Sequence, residues 1–169
     1  MGGRVVRIVT RLNLGGPLRQ LTALVPALAA RGWTGPVVCG MPAAYETDGA
    51  DALRAGGARI LRVKALQRGL DVARDARALR AVLGILRHER PDLVHTHTGK
   101  AGALGRIAAR IAGVPCVHTY HGHHFAAPWP RDVLAVRAER RLGRLTAAGI
   151  ALTPRQRRDV VETYRVLPA

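Results

Sequence analysis

The chain contains no serine and only two cysteines, and its aromatics are limited to two Trp, three Tyr and one Phe among 169 residues. Each shortage removes a class of function. Without serine there is no serine nucleophile. Cys39 and Cys116 both sit in apolar, strand-like runs without C-x-x-C spacing, so they read as buried thiols rather than a disulfide or a zinc site. Scarce rings argue against a nucleic-acid binder, which would interleave basic residues with aromatics for stacking. No run approaches the roughly 20 apolar residues of a bilayer span. The opening "MGGRVVRIV" lacks the apolar stretch of a secretion signal. The expectation is a cytoplasmic protein with no nucleic-acid partner.

Arginine, by contrast, is abundant. Lys and Arg total 27 against 11 Asp and Glu, giving a formal charge of +16, and since Lys64 and Lys100 are the only lysines, 25 of the 27 are arginine. They are spread over most predicted helices, so the charge reads as compositional bias as much as a binding patch. The densest stretch is 137 to 144, where Arg137, Arg141 and Arg144 recur at helical spacing beside Arg140. It reads either as a solvated helix face or as an attraction to an anionic membrane surface, worth about 1 kcal/mol per basic residue.

A chain of this length, 48% apolar, suits one well-buried domain. "RVVRIVT" (4–10) reads as a strand running into the tight loop "RLNLGGP", and Leu18, Leu21, Val25 and Leu28 then mark a helix over about 17–31. Pro17 suits its first turn, whereas Pro26 lies inside it and costs about 3 kcal/mol unless the helix kinks. The alternation continues. "GPVVCG", "ARILRV", "DLVHTHT" and "VPCVHTYHG" read as strands, and "GIALT" follows the same pattern. Helices are expected at 48–57, 71–89, 100–113, 131–146 and 154–164, with a loop at 122–130. The 71–89 helix should bury Val72, Ala76, Leu79, Leu83 and Leu86, with Pro91 as its stop. Strands and helices in this order imply βαβ units and a doubly wound, mostly parallel α/β sheet of Rossmann-like type.

Ligands of such sheets bind outside the carboxyl ends of the strands, where three polar segments fall. Gly15 and Gly16 precede a helix N-terminus, whose free N–H groups favour an anion such as phosphate. The segment is neither G-x-G-x-x-G nor a P-loop, and a plain tight turn is the competing reading. In "HTHTGK", His95 and His97 share one strand face, and Lys100 opens the next helix, where a cation works against the helix dipole unless an anion approaches. In "HTYHGHHF", His121 shares a face with Thr119, Gly122 permits close approach, and His118 points the other way as a hydrogen-bonded core histidine. His121, His123 and His124 crowd one short segment with no Cys or carboxylate beside them. Zinc needs a tetrahedron from convergent ligands, so no metal is expected. The remaining chemistry is a cleft of neutral hydrogen-bonding groups and a few cations, which suits a polyhydroxylated, phosphorylated ligand.

"RIVTRLNLGG", "RPDLVHTHTGKAGALGRIAARIAGVP" and "VHTYHGH", in this order and spacing, resemble the N-terminal domain of family 4 glycosyltransferases, and within that family the enzymes of bacterial surface polysaccharide and glycolipid assembly. The resemblance implies one half of a GT-B fold and transfer from a nucleotide-sugar donor, with retention of anomeric configuration and no cofactor or metal, to a lipid-linked or saccharide acceptor. It implies that His121 lies against the transferred sugar and that Gly15 and Gly16 approach the donor diphosphate. Asn13, His97, Lys100, Gly122 and His123 are expected to line the acceptor and sugar cleft. Pro17 and Leu18 stand where members often carry a small residue and Glu. The family's second domain, which carries most nucleotide contacts, is expected to be a separate or absent partner, without which the chain transfers little. Peripheral association with the inner membrane face is compatible with the acceptor class, and a stand-alone glycolipid or phosphosugar binding module is the alternative.

Overall fold

A computed structural model describes residues 2–121 and 130–167. Seven parallel strands form the sheet: β1 (Gly3–Val9), β2 (Trp33–Thr34), β3 (Val37–Cys39), β4 (Ile60–Arg62), β5 (Leu93–His97), β6 (Cys116–Tyr120) and β7 (Ala148–Ala151). Their order is β4-β3-β1-β5-β6-β7, with the two-residue β2 also on β1. From β1 the chain winds outward to β4, then returns to place β5 on the other side of β1. The strand order therefore reverses between β1 and β5.

The helices are α1 (Gly16–Ala29), α2 (Ala50–Ala55), α3 (Val72–Glu89), α4 (Gly99–Ala112), α5 (Pro130–Gly143) and α6 (Pro154–Arg158), the last continued by one π turn at Asp159–Thr163. Alternate residues of β1 explain why helices cover both sheet faces. Val6 and Ile8 pack with Val94, Ala78, Val82, Leu86 and Ala108 under α3 and α4. Val9 packs with Val37, Leu18, Leu21 and Leu53 under α1 and α2. Each such side chain contributes about 1.5–3 kcal/mol on leaving water.

Local signals set the helix ends. Asp71 caps α3 by accepting from the Arg74 N–H at 2.9 Å, and Arg90, at a left-handed φ of 46°, closes it before Pro91. Pro26 is accommodated inside α1, near its C-terminal end. The buried stripe of α3 differs from expectation: it is Ala78, Val82, Leu86 and Glu89, with Leu79 and Leu83 half-buried, while Val72 is 89% exposed. Val72 is left in water, and the stripe is centred one residue round the helix.

Small residues bring α4 close. A Cβ at Gly102 would lie 2.5 Å from the His118 ring, and one at Gly105 would lie 2.5 Å from Thr96 Cγ2. One turn on from Gly102, the fully buried Arg106 donates through Nη2 to both carboxylate oxygens of Glu139 on α5, each at 2.9 Å. Cys39 and Cys116 are free and buried, and burial pushes both thiols up to about 11. Neither is a nucleophile. Among the described residues no helix is long and apolar enough to cross a membrane.

Candidate functional site

The reversal of strand order leaves a crevice above the carboxyl ends of β1 and β5. Thr10 follows β1 and Thr98 follows β5, and their hydroxyls meet at 2.7 Å. Thr98 holds a φ of 65°, rare for a β-branched residue. The Ala101 N–H donates to Thr10 Oγ1 at 3.2 Å, which ties the first turn of α4 to the end of β1.

A polar cavity of about 560 Å³ opens there, bordered by Asn13, Gly16, Arg68, Thr98, Lys100 and His121. The N-termini of α1 and α4 both face it, and their amide groups lend it partial positive charge. Asn13 is held by a bridge to Asp48, whose carboxylate pairs with Arg62. Three cations border the cavity, and two are compensated. Arg11 pairs with Glu46 at 2.8 Å, and Lys100 pairs with Asp75 at 2.5 Å. Arg68, exposed, has no carboxylate partner among the described residues.

A second cavity, about 850 Å³ and mostly apolar, runs from the same place between α4 and α5 past Ala103, Leu104, Leu134 and Ala138. Gly69, Thr98, Gly99, Lys100 and His121 border both cavities, so the two adjoin. Leu134 and Leu70, 65% and 96% exposed, stand along the apolar trough. A further cavity of about 590 Å³ follows β7, with Arg157 its one charged side chain among the described residues, and shares Leu152 with the polar cavity and Tyr120 with the apolar one.

The sites read from sequence sort as follows. Asn13, Gly16, Lys100 and His121 converge on the polar cavity. Gly15 caps α1 with an extended backbone. His97 is fully buried and is not among the residues that border the cavity. Its Nδ1 lies 3.1 Å from Nε2 of His121, behind which it stands. Lys100 stands at the cavity with its charge paired by Asp75. Gly122 and His123 lie outside the described residues. Sequence reasoning missed Asp75, the Thr10–Thr98 pair and Arg68.

Three histidines here are held uncharged. Burial, with the nearby Arg7 and His121 adding, pushes His95 down to about 4. Burial, then His95 and His121, pushes His97 down to about 2, and burial with Arg106 does the same to His118. His95 Nε2 meets Thr119 Oγ1 at 2.8 Å, and His118 Nδ1 meets Thr96 Oγ1 at 2.8 Å on the opposite sheet face. His118 is thus the core histidine expected. Among the described residues no three His, Cys, Asp or Glu side chains converge as metal ligands.

A parallel, doubly wound sheet with its ligand cavity at the strand ends defines a Rossmann-like domain of the kind that forms one half of a GT-B enzyme. The chain belongs to the glycosyl transferase 4-like domain family, whose model matches residues 15–169. A UDP-Gal:alpha-D-GlcNAc-diphosphoundecaprenol alpha-1,3-galactosyltransferase from Escherichia coli is 45% identical over 75 residues, which cover 44% of this chain and 19% of that relative. The fold matches a glycosyltransferase from Rickettsia africae with a TM-score of 0.72 at 12% identity, over 96% of this chain and 40% of that one. It also matches a UDP-N-acetylglucosamine 2-epimerase from Listeria monocytogenes with a TM-score of 0.70 at 15% identity, over 96% and 42%. The chain therefore spans well under half the length of these proteins.

Proposed function

We propose that the chain is the acceptor-side domain of a retaining glycosyltransferase that moves a sugar from a nucleotide-sugar to a saccharide carried on a lipid diphosphate. The observation that carries this reading is that the polar cavity and the apolar trough adjoin across shared lining residues. A ligand lying across both must be amphiphilic, with hydroxyl and phosphate groups at the strand ends and an apolar tail between α4 and α5. The Escherichia coli relative, whose name specifies a diphosphoundecaprenol-linked sugar, supports that acceptor class. Arg68 and the helix N-termini supply charge for the phosphates, and His121 supplies a ring nitrogen to the transferred sugar. Gly15 and Gly16 receive the donor diphosphate without side chains in the way. A donor domain, in the same or another polypeptide, carries the nucleotide, and no metal takes part.

Binding to the 169-residue chain tests this. A farnesyl-diphosphate-linked N-acetylglucosamine should bind at least about tenfold more tightly than the same sugar diphosphate without its lipid. Leu134→Glu should abolish that difference and leave the lipid-free ligand unaffected. Equal affinities for the two ligands in the unaltered chain would reject the amphiphile reading. With a UDP-sugar present, turnover should need an added donor domain. Enzyme-like rates from the chain alone would contradict the half-site assignment, and binding that no donor domain converts to turnover would leave a binding module.

A further inference from the structure

We infer that Lys100 is a positioning residue whose ammonium ties down the loop between β4 and α3 at Gly69 and so keeps Arg68 beside the polar cavity. The use of Arg68 against phosphates rests on the function proposed above. The tie itself does not.

The inference starts from what holds three exposed residues in place. Val63 and Leu66 anchor the start of the loop in the core, and Asp71 fixes its end as the cap of α3. The Gln67 side chain accepts from Arg74 Nη1 at 3.1 Å and donates to the Lys64 carbonyl at 3.0 Å. Between these anchors stand Arg68, Gly69 and Leu70, all exposed. Among the described residues the three make one hydrogen bond, which the Gly69 carbonyl accepts from Lys100 Nζ. Gly69 holds a φ of 83°, a left-handed conformation that glycine adopts without strain.

The surroundings of Lys100 suit it to this task. Its side chain is 13% exposed, and its Nζ also donates to Asp75 Oδ1 at 2.5 Å. Asp75 Oδ2 in turn accepts from the Asp71 N–H at 3.4 Å. The carboxylate stands in the first turn of α3, where negative charge is favoured, and it offsets the cost of a cation in the first turn of α4. One ammonium therefore joins α4, which carries it, to α3 through Asp75 and to the loop through Gly69. A lysine stem is flexible, and the carboxylate pins it so that a second donor keeps a fixed direction.

Two cations border the cavity on this side, and their environments give them different roles. The charge of Lys100 is paired with Asp75, whereas Arg68 is exposed with no carboxylate partner among the described residues. Arg68 presents a planar fork of donors that matches phosphate oxygens. A loop that must be ordered at the moment of binding subtracts from affinity, so the fork is most effective on a backbone already held. Gly69 borders both cavities, which puts the tie where they adjoin.

Nitrogen-15 relaxation in the 169-residue chain reads the tie without any ligand. Backbone order parameters of Arg68, Gly69 and Leu70 should lie near the value of about 0.85 of rigid backbone despite their exposure. In Lys100→Met, which removes the donors, they should fall below about 0.6. Values below about 0.6 in the unaltered chain, or values unchanged by Lys100→Met, would overturn the inference. A double-variant cycle on the farnesyl-diphosphate-linked N-acetylglucosamine reads the consequence. Arg68→Gln should lower affinity about tenfold. Lys100→Met should lower it by no more than that, and the double variant should be no weaker than Arg68→Gln, because Lys100 acts through Arg68. Losses that multiply to about a hundredfold would overturn the positioning role and make Lys100 a ligand contact in its own right. Affinity for a farnesyl N-acetylglucosaminide without the diphosphate should be the same in all four proteins, and an equal loss there on Lys100→Met would mean general loosening and overturn it as well. An ordered loop whose Arg68→Gln variant binds both ligands unchanged would sustain the tie and reject the phosphate role of Arg68.

Discussion

Thr10 and Thr98, 88 residues apart in sequence, share a hydrogen bond of 2.7 Å across the point where the strand order reverses. Thr98 Oγ1 also accepts from the Thr10 N–H at 3.3 Å. Thr98→Val keeps the β-branched shape and removes both contacts. It should cost about 1–2 kcal/mol, seen as a lower denaturant midpoint with an unchanged slope. An unaltered midpoint would show that the pair does not clamp β1 to β5.

Glycines on two helices should respond in opposite directions. Gly102→Ala and Gly105→Ala drive a methyl into His118 and Thr96 respectively, and overpacking of this kind costs about 1–3 kcal/mol. At Gly84 on α3 a Cβ would meet nothing within 4 Å, so Gly84→Ala should stabilise by about 0.5–1 kcal/mol. Thermal melts of the three variants decide the matter, and equal shifts would mean that α4 does not rest on the sheet as described.

Glu139→Gln leaves the Arg106 guanidinium buried without its carboxylate, and breaking one side of such a pair costs about 3–5 kcal/mol. Arg106→Met combined with Glu139→Leu removes both charges and should recover most of that loss. A double variant no more stable than Glu139→Gln would show that the pair is not what joins α4 to α5.

Acid should unfold the domain early. His95, His97 and His118 are neutral in the fold, with values down to about 4, about 2 and about 2. In the unfolded chain each takes a proton near pH 6.5. The unfolded state thus binds more protons below that pH, and stability, complete above it, falls as pH drops. The decline continues to about pH 4 for His95 and lower for the other two. Each ring contributes about 1.4 kcal/mol per pH unit, so the three together lose about 4 kcal/mol per unit between pH 6 and 4. Guanidinium midpoints at pH 7.5, 6 and 5 measure this, and a flat profile would mean that the rings titrate in the folded protein.

Gly16 borders the polar cavity with open space where a Cβ would be. Gly16→Val should leave the melting temperature nearly unchanged while lowering affinity for a UDP-sugar in a two-domain enzyme. Unchanged donor affinity would place the diphosphate elsewhere.

Much of this fold could be read from the alternation of β-branched runs with helical periodicity, and the placement of polar segments at strand ends followed from the parallel sheet. The failures have definite causes. Period-two alternation put His97 on the face of His95, but nothing in the chain reveals the β5–β6 register, which sets His97 beside Thr119 and hence close to His121. Arg68 is one of 25 arginines and carries no local mark. Lys100 looked unpaired because Asp75 lies one helix earlier, and only the packing of α3 on α4 brings the two charges together. On α3, Val72 satisfies the period of the apolar stripe yet stands in water.

The absent methyl groups at Gly102 and Gly105 have a directional consequence. Because His118 and Thr96 occupy the space that side chains on α4 would take, the helix can neither slide nor roll without collision. Its axis is keyed to the sheet like a shaft in a slot. The amides at its first turn therefore keep a constant bearing on the crevice, set by two glycines, Gly102 and Gly105, that border neither cavity.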